Sequence, residues 1–279
     1  MNQKKFISNA ISYFILIAIG WLMIYPLIWL FFATFKNNNE IFGNKTLFPS
    51  SISFDAYING WKATGQVTYT VFFGNTFSIV IPVVVFTVLS AIFISYGFAR
   101  FNFKFRNVFF IMMLATMMLP GSVIVVPQYI MFRTFGWLNT YNVFIVPSLF
   151  GTPFFIFLMV QFLRGIPKEL DESAYIDGCN SFRILWQILV PLCKPAIFSV
   201  IVFRFLWTWN DFFGPLIYLN SVKRYTIALG LRMSIDNEAA IAWPNIMAMS
   251  LLSIMPCILL FFFSQNYFVE GITTTGLKG

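Results

Sequence analysis

Four of the ten carboxylates of this chain, Glu169, Asp171, Glu172 and Asp177, fall in one stretch, PKELDESAYIDGCNSFRILWQILVPLCKP, from Pro167 to Pro195. Acidic side chains in the first turns of a helix suit a basic groove on another surface, through the helix dipole and charge-assisted hydrogen bonds. The chemistry they offer is recognition. Catalysis has little to work with: there is no histidine, which removes the commonest general base and the commonest metal ligand. No G-x-S-x-G, H-E-x-x-H or G-x-x-x-x-G-K-[ST] pattern occurs. The tail GITTTGLKG spaces Gly271 and Gly276 like a phosphate-binding loop, but Leu277 stands where the lysine should follow. Cys179, Cys193 and Cys257 have no metal-ligand spacing. No catalytic residue, metal or cofactor is therefore expected on this chain, and any nucleotide chemistry belongs to a separate one.

The segment that positions these carboxylates reads as two short amphipathic helices hinged at Gly178. Pro167 suits a first helical turn, with Glu169, Asp171 and Glu172 following where the dipole favours them. Leu170, Ala174 and Tyr175 make the apolar face. Gly178 stops the first helix, and Asn180 or Ser181 can cap the second. Phe182, Leu185, Trp186 and Leu189 then repeat at i, i+3, i+4, i+7, one apolar stripe, which Pro191 and Pro195 end. So many charges cannot lie in lipid. The segment has the shape of a docking element between a membrane domain and a soluble partner, or of a cytoplasmic loop lying on the membrane.

The rest of the chain demands a membrane. Of 279 residues 59% are hydrophobic and 10% charged, with 37 Phe, far more apolar surface than one soluble core needs. A helical span takes roughly 20 apolar residues, and six runs qualify, about 10–35, 71–98, 107–126, 142–163, 196–219 and 244–268. None alternates as barrel strands do, so an all-α membrane protein with six transmembrane helices is expected. The first run is too long for a cleaved signal and lacks a small-residue cleavage site.

Lysine and arginine placement orients the spans. Lys4, Lys5, Arg100, Lys104, Arg106, Arg164, Lys168, Arg183, Lys194 and Lys278 fall on one side. Lys36, Lys45, Lys62, Arg133, Lys223, Arg224 and Arg232 fall on the other, over longer stretches. Both termini are then cytoplasmic. The net charge of +8 follows from this bias and from attraction to anionic membrane lipid; no basic helix or aromatic-basic module points to nucleic acid.

Glu172-Ser173-Ala174, three residues, Gly178, nine residues and Ile188-Leu189-Val190-Pro191 resemble the E-A-A-x-x-x-G-x(9)-I-x-L-P signature of permease subunits of bacterial ABC importers, with Ser for Ala and Val for Leu. YGFARFNFKFRN (96–107), LPGSVIVVPQYIMFRTFGWLNTYNVFIVP (119–147), WTWNDFFGPLIYL (207–219) and QNYFVEGITTTGLKG (265–279) resemble the maltose-type, carbohydrate-uptake branch, so the likeness spans nearly the whole chain. It implies a type I importer permease fold: one transmembrane permease domain over 1–279, a coupling loop at about 167–191 and a cytoplasmic tail at about 269–279. It further implies a second homologous permease subunit, two ATPase subunits holding ATP and Mg, an extracytoplasmic solute-binding protein, and a di- or oligosaccharide substrate moved by alternating access. Glu172, Ser173, Ala174, Asp177 and Gly178 would form the coupling helix seated on an ATPase. Thr273 to Gly279 would be a second ATPase contact.

Charges within spans need a reason. Arg204 and Asp211 are seven residues apart, about 10 Å along one helix face. With Trp207 and Asn210 they either line the translocation path or the permease interface, or form a polar cluster that fixes helix packing; Trp207 and Trp209 could stack on sugar rings. Pro120, Pro127, Pro215 and Pro256 would kink or break helices. Two outer segments, 36–70 and 220–243, are long, charged and rich in turn formers, and the resemblance implies that the second approaches the binding protein's cleft. Importers of glycerol-phosphate-like or polyol substrates share these features. A self-sufficient secondary transporter is disfavoured, because no internal repeat or acidic proton relay is visible.

Overall fold

The computed structural model describes residues 3–43, 46–62, 67–236 and 242–276, by backbone alone at 3–8, 236 and 266–276. Lys45, Asn237, Glu238, Lys278 and the last residues of the tail lie outside that set. The chain is helical, with no strand among the described residues. That is the outcome lipid enforces, since a helix satisfies its backbone groups within one segment.

In chain order the helices are α1 (Gln3–Ala33), α2 (Asn38–Gly43), α3 (Asp55–Trp61), α4 (Tyr69–Arg100), α5 (Arg106–Thr116), α6 (Gly121–Thr134), α7 (Asn142–Leu149) and α8 (Pro153–Gly165). They continue as α9 (Glu169–Ile176), α10 (Ser181–Ile184), a π-helical turn (Leu185–Leu189), α11 (Val190–Leu192), α12 (Lys194–Trp209), α13 (Phe213–Tyr218), α14 (Ile227–Asp236) and α15 (Trp243–Gly276). Four stretches are long and apolar enough to cross a membrane: Asn9–Ala33, Tyr69–Arg100, Asn142–Gly165 and Trp243–Gln265. The expected spans 107–126 and 196–219 are less simple. The first corresponds to α5 and α6, which meet at 98°, and the pair Ser181–Leu192 and Lys194–Trp209 bends by 77°. Pro120 stands at the first break, immediately before α6, and its missing N–H and the restricted residue before it account for the stop. Gly151 makes the milder break between α7 and α8: its φ is +88°, and a Cβ there would meet Ile94 Cδ1 at 2.7 Å and Ile156 Cδ1 at 2.8 Å.

The chain divides into two compact units, Met1–Thr70 with Gly230–Met255, and Val71–Leu229 with Pro256–Gly279. In the first, the outer segment expected to be loop folds in part into α2 and α3. Asn37 Oδ1 accepts from Glu40 N at 2.8 Å, and Ser53 Oγ accepts from Asp55 N at 3.1 Å; such local side-chain caps are how polar, turn-rich sequence starts short helices. Asn38 Oδ1 receives Trp243 N at 3.0 Å.

The second unit holds the main core. Phe155, Met159 and Leu163 of α8 pack with Ala91, Ile92, Tyr96 and Ala99 of α4, and with Ala174, Ile184, Leu185, Leu189, Cys193, Ala196 and Val200 from the 167–200 segment. The short helices after α8 are thus built into the core rather than laid on a surface. At another point of this unit Asn139, at φ +57°, ties two segments together: its N donates to Tyr218 O at 2.7 Å, and its Oδ1 accepts from Asn220 N and Ser221 N, both at 3.1 Å. Arg224 Nη1 donates to Asn139 O. Asparagine tolerates this left-handed conformation better than most residues.

Candidate functional site: the acidic helix and the broken helix

The acidic helix sorts its carboxylates by face. Asp171 is buried at 8% exposure and Ala174 at 5%, while Glu169, Glu172, Ser173, Asp177 and Gly178 are exposed. The inward pair anchors α9 and the outward set is free to meet a partner. Beside Glu172 and Asp177 lie exposed apolar side chains, Ile176, Tyr175, Leu170 and Phe182. A surface of this kind, on a helix held from behind, offers a partner both charge and apolar area.

Gly178 is a defined stop rather than a loose hinge. Its φ is +79°, and nothing lies within 4 Å of where a Cβ would be, so glycine is needed for backbone conformation, not for space. Gly178 N donates to Tyr175 O at 3.0 Å and Cys179 N to Ala174 O at 2.9 Å, the paired bonds of a Schellman ending. Asn180 then caps α10, its Oδ1 accepting from Arg183 N at 2.8 Å.

The stripe read as Phe182, Leu185, Trp186 and Leu189 is altered by the π turn over Leu185–Leu189. The wider turn rotates the buried face, so Ile184, Leu185 and Leu189 are buried and Phe182 is 64% exposed. Trp186 Nε1 is buried without a hydrogen-bond partner. The helical run Ser181–Leu192 ends just after Pro191, as expected, and Pro195 stands in the first turn of α12, where a missing N–H is harmless.

One residue that sequence reading used for topology and within the 96–107 motif, without a role of its own, lies at the centre of this packing. Arg100, the last residue of α4, sets Nε 2.6 Å from Asp171 Oδ2, with the two side chains 6% and 12% exposed. The contact is an ion pair without an aligned hydrogen bond: Nε and Asp171 Oδ1 both lack a hydrogen-bond partner. Arg100 Nη2 also donates to Ile166 O at 3.0 Å. Burial pushes the Asp171 carboxyl above its ordinary value, against the pull of Arg100 and Lys168, and Glu172 adds to the rise. Four residues before Arg100, Tyr96 OH donates to Ser181 O at 3.1 Å, and Tyr175 OH lies 2.8 Å from Ser181 Oγ.

The second cluster surrounds the gap between α12 and α13. Asp211 sits in it, its Oδ1 accepting from Gly214 N at 3.0 Å, and a Cβ on Gly214 would approach Asp211 Oδ2 to 2.5 Å. Arg204 Nε is buried without a hydrogen-bond partner, and among the described residues Arg204 and Asp211 close no ion pair. Asn210 is exposed and returns its Nδ2 to Leu206 O at 2.8 Å. The tryptophans differ. Trp207 is 48% exposed on a base of Phe154 and Phe155, with ring centroids at 5.2 and 5.1 Å. Trp209 is 3% exposed, against Phe77 at 4.9 Å and Phe205 at 5.3 Å. Trp209 is core, and Trp207 alone of the two has a free face.

A helical membrane protein with a buttressed acidic helix exposed on one face and a broken span that carries buried charge has the organisation of a transport permease. Residues 88–274 match the family of binding-protein-dependent transport system inner membrane components, and the chain belongs to it. It is 32% identical to an arabinooligosaccharides transport system permease protein of Halalkalibacterium halodurans, over 99% of this chain and 100% of that one. It is 30% identical to an sn-glycerol-3-phosphate transport system permease protein of Brucella abortus, over 99% of each chain. Its fold matches a chain of a bacterial ABC transporter involved in the import of the acidic polysaccharide alginate, with TM-score 0.84 and 20% identity, over 96% of this chain and 99% of that one. The family is one of non-catalytic membrane subunits of ABC importers, so the protein is not itself an enzyme.

Proposed function

We propose that the protein is the permease subunit of an ATP-driven importer that moves a di- or oligosaccharide into the cell by alternating access. It would pair with a second, homologous permease and be driven by two cytoplasmic ATPase subunits that hold ATP and Mg. A solute-binding protein would deliver the sugar from outside. What supports this most is α9: Glu172 and Asp177 are exposed on a helix whose other face is anchored in the core. In this reading Glu172, Ser173, Ala174, Asp177 and Gly178 form the coupling element, Ala174 and Gly178 by fixing its seat and its end, and the others by meeting an ATPase. Arg204, Trp207, Asn210 and Asp211 line the sugar path or the contact with the second permease. Both termini are cytoplasmic, and the end of α15 with the residues beyond it makes a second ATPase contact. The relative named for glycerol 3-phosphate favours a second reading, the same machine with a phosphorylated polyol as cargo.

The test is isolation of the tagged chain in mild detergent. An ATPase and a second permease should come with it, and the vesicle-reconstituted complex with its binding protein should accumulate labelled arabino- or galacto-oligosaccharide only when ATP is present. Uptake by the chain alone would overturn the proposal, and uptake of labelled glycerol 3-phosphate instead would select the second reading. Orientation is checked by single cysteines in a background lacking the native three. Exposed Asn59 should react with an impermeant thiol reagent from outside, and exposed Asn102 and Asn180 only after the membrane is opened.

A further inference from the structure

We propose that Arg100 is a positioning residue that makes the end of α4 and the acidic helix α9 move as one body, so that a push or pull on α9 reaches the spanning part of α4. The inference rests on the coupling reading of α9. Chain connection alone would not achieve this. The eight-residue helix α9 is entered through Ile166, at extended backbone angles, and left through Gly178. The Schellman bonds that define its end lie within the segment itself, so without a hold from α4 a helix of two turns would tilt when a partner displaced it.

Arg100 closes that freedom at the entry. One guanidinium holds Asp171, in the first turn of α9, and the carbonyl of Ile166, where α8 ends. Tyr96 lies one turn earlier in α4, on the same helix face, and holds Ser181 O beyond Gly178. Helix α4 therefore grips the acidic helix before its start and after its end. The kind of contact matters as much as its place. Packing at Ala174 resists compression and, on separation, forfeits dispersion contact only gradually. Separating Arg100 from Asp171 would leave two charges in a site with little water, which is strongly unfavourable. The contact thus transmits pulling as well as pushing.

Stability does not explain the pair. A buried ion pair often contributes no more than apolar residues of similar volume would. This one leaves Asp171 Oδ1 and Arg100 Nε without hydrogen bonds. A charge pair that adds little to folding and joins a contact helix to a long apolar helix is accounted for by positioning.

The experiment uses the whole transporter, with its ATPases, second permease and binding protein, and reads sugar moved per ATP hydrolysed. Arg100→Gln should assemble and hydrolyse ATP but move about ten-fold less sugar per ATP. Arg100→Lys should recover part of the loss, and the exchange Arg100→Asp with Asp171→Arg should exceed either single change. An unchanged ratio in Arg100→Gln overturns the proposal. Should that variant fail to assemble, Arg100→Cys with Asp171→Cys, in a background lacking the native cysteines, is joined by a short bis-thiol reagent. Transport must then survive or improve on cross-linking, and loss on cross-linking overturns the proposal by showing that the two helices have to part. Glu172→Lys separates this inference from the reading beneath it. If Glu172→Lys uncouples and Arg100→Gln does not, only the inference fails; if Glu172→Lys leaves the ratio intact, the coupling reading itself is lost.

Discussion

The segment after α8 and the break between α12 and α13 both place charge in or beside an apolar chain, and they treat it in opposite ways. In the first, the inward carboxylate meets a cation at 2.6 Å, the helix end is closed by two backbone bonds, and the remaining carboxylates face outward. In the second, Asp211 is occupied in capping a short helix, and Arg204 finds no partner for its buried Nε. The first arrangement closes an ion pair within the chain, although Arg100 Nε and Asp171 Oδ1 lack hydrogen bonds there too. The second is incomplete within the chain. A buried guanidinium nitrogen without a hydrogen bond is costly, so the reading proposed above, in which sugar or a second permease supplies the missing partner, has a physical motive. In that reading a rigid contact element and an unsatisfied path are complementary requirements of a transporter driven from one side.

The largest effect is expected where the first region is broken outright. Gly178→Pro removes the N–H that bonds Tyr175 O and forbids a φ of +79°; Glu172→Lys reverses the outward charge. Either protein should insert in the membrane, fail to take up sugar and retain less ATPase on isolation. Uptake at the normal rate would mean that the segment is not a coupling element. Glu172→Ala should be mild, because an exposed ion pair is worth about 0–1 kcal/mol.

In the second region the prediction turns on pairing. Arg204→Leu and Asp211→Leu remove groups that close no ion pair but still act on each other's charge, so their effects on assembly and on apparent sugar affinity should fall somewhat short of additive. Rescue in the double variant would show that the two meet in the assembled transporter. Asp211→Asn should keep the cap, since an amide oxygen can still accept from Gly214 N, and any change in sugar affinity it causes isolates the charge as the agent. Assembly and affinity both unchanged would leave Asp211 a packing residue.

How much of this was legible in the sequence differs between the same two regions. The apolar runs located the four long spans. Acidic residues after Pro167, Gly178 and Asn180 announced α9, its end and the next cap, because each acts through bonds within a few residues. The Arg100–Asp171 pair acts across a long stretch of chain, and nothing local distinguishes Asp171 from Glu172 until one face is seen to be buried. The π turn eluded a period-3.6 reading for the same reason that it shifts the stripe: it changes the period. The breaks at Pro120 and at Cys193, between Pro191 and Pro195, were marked by residues that interrupt helices, yet the apolar composition on either side concealed how sharply the chain turns. Trp207 and Trp209 look alike in a list of aromatics, and only packing separates the half-open ring from the buried one.

A smaller and more specific effect is expected from pH. Burial raises the Asp171 carboxyl above 3.8, so the folded state holds this proton more tightly than the unfolded chain does. The stabilising contribution of that proton is fully present below about 3.8 and is lost as pH rises through the raised value. The difference in melting temperature between wild type and Asp171→Asn should therefore shift in favour of the wild type as the pH of the purified protein falls from neutrality toward that range. A shift the other way would mean that the pair with Arg100 outweighs burial, and that the carboxyl is held in its charged form.

The smallest effects compare two left-handed residues that flank the unit's cytoplasmic elements in the proposed orientation. Gly178 at φ +79° obeys the usual rule, and Phe105 at φ +65°, just before α5, breaks it. A side chain in this conformation costs about 1–2 kcal/mol. Gly178→Ala meets no steric contact, so it should destabilise by about that backbone cost alone. Phe105→Gly should relieve the same strain. Phe105 is 59% exposed, with Lys104 Nζ 5.2 Å from its ring centroid, and a surface contact of that type is worth about 0.5–1 kcal/mol. The net gain should then be small and positive, read as a modest rise in melting temperature with sugar uptake unchanged. A fall in stability would show that the Phe105 ring contributes more than its strain costs, which lipid headgroups around the ring would explain. In that event the variant should lose its disadvantage in detergent and keep it in anionic vesicles.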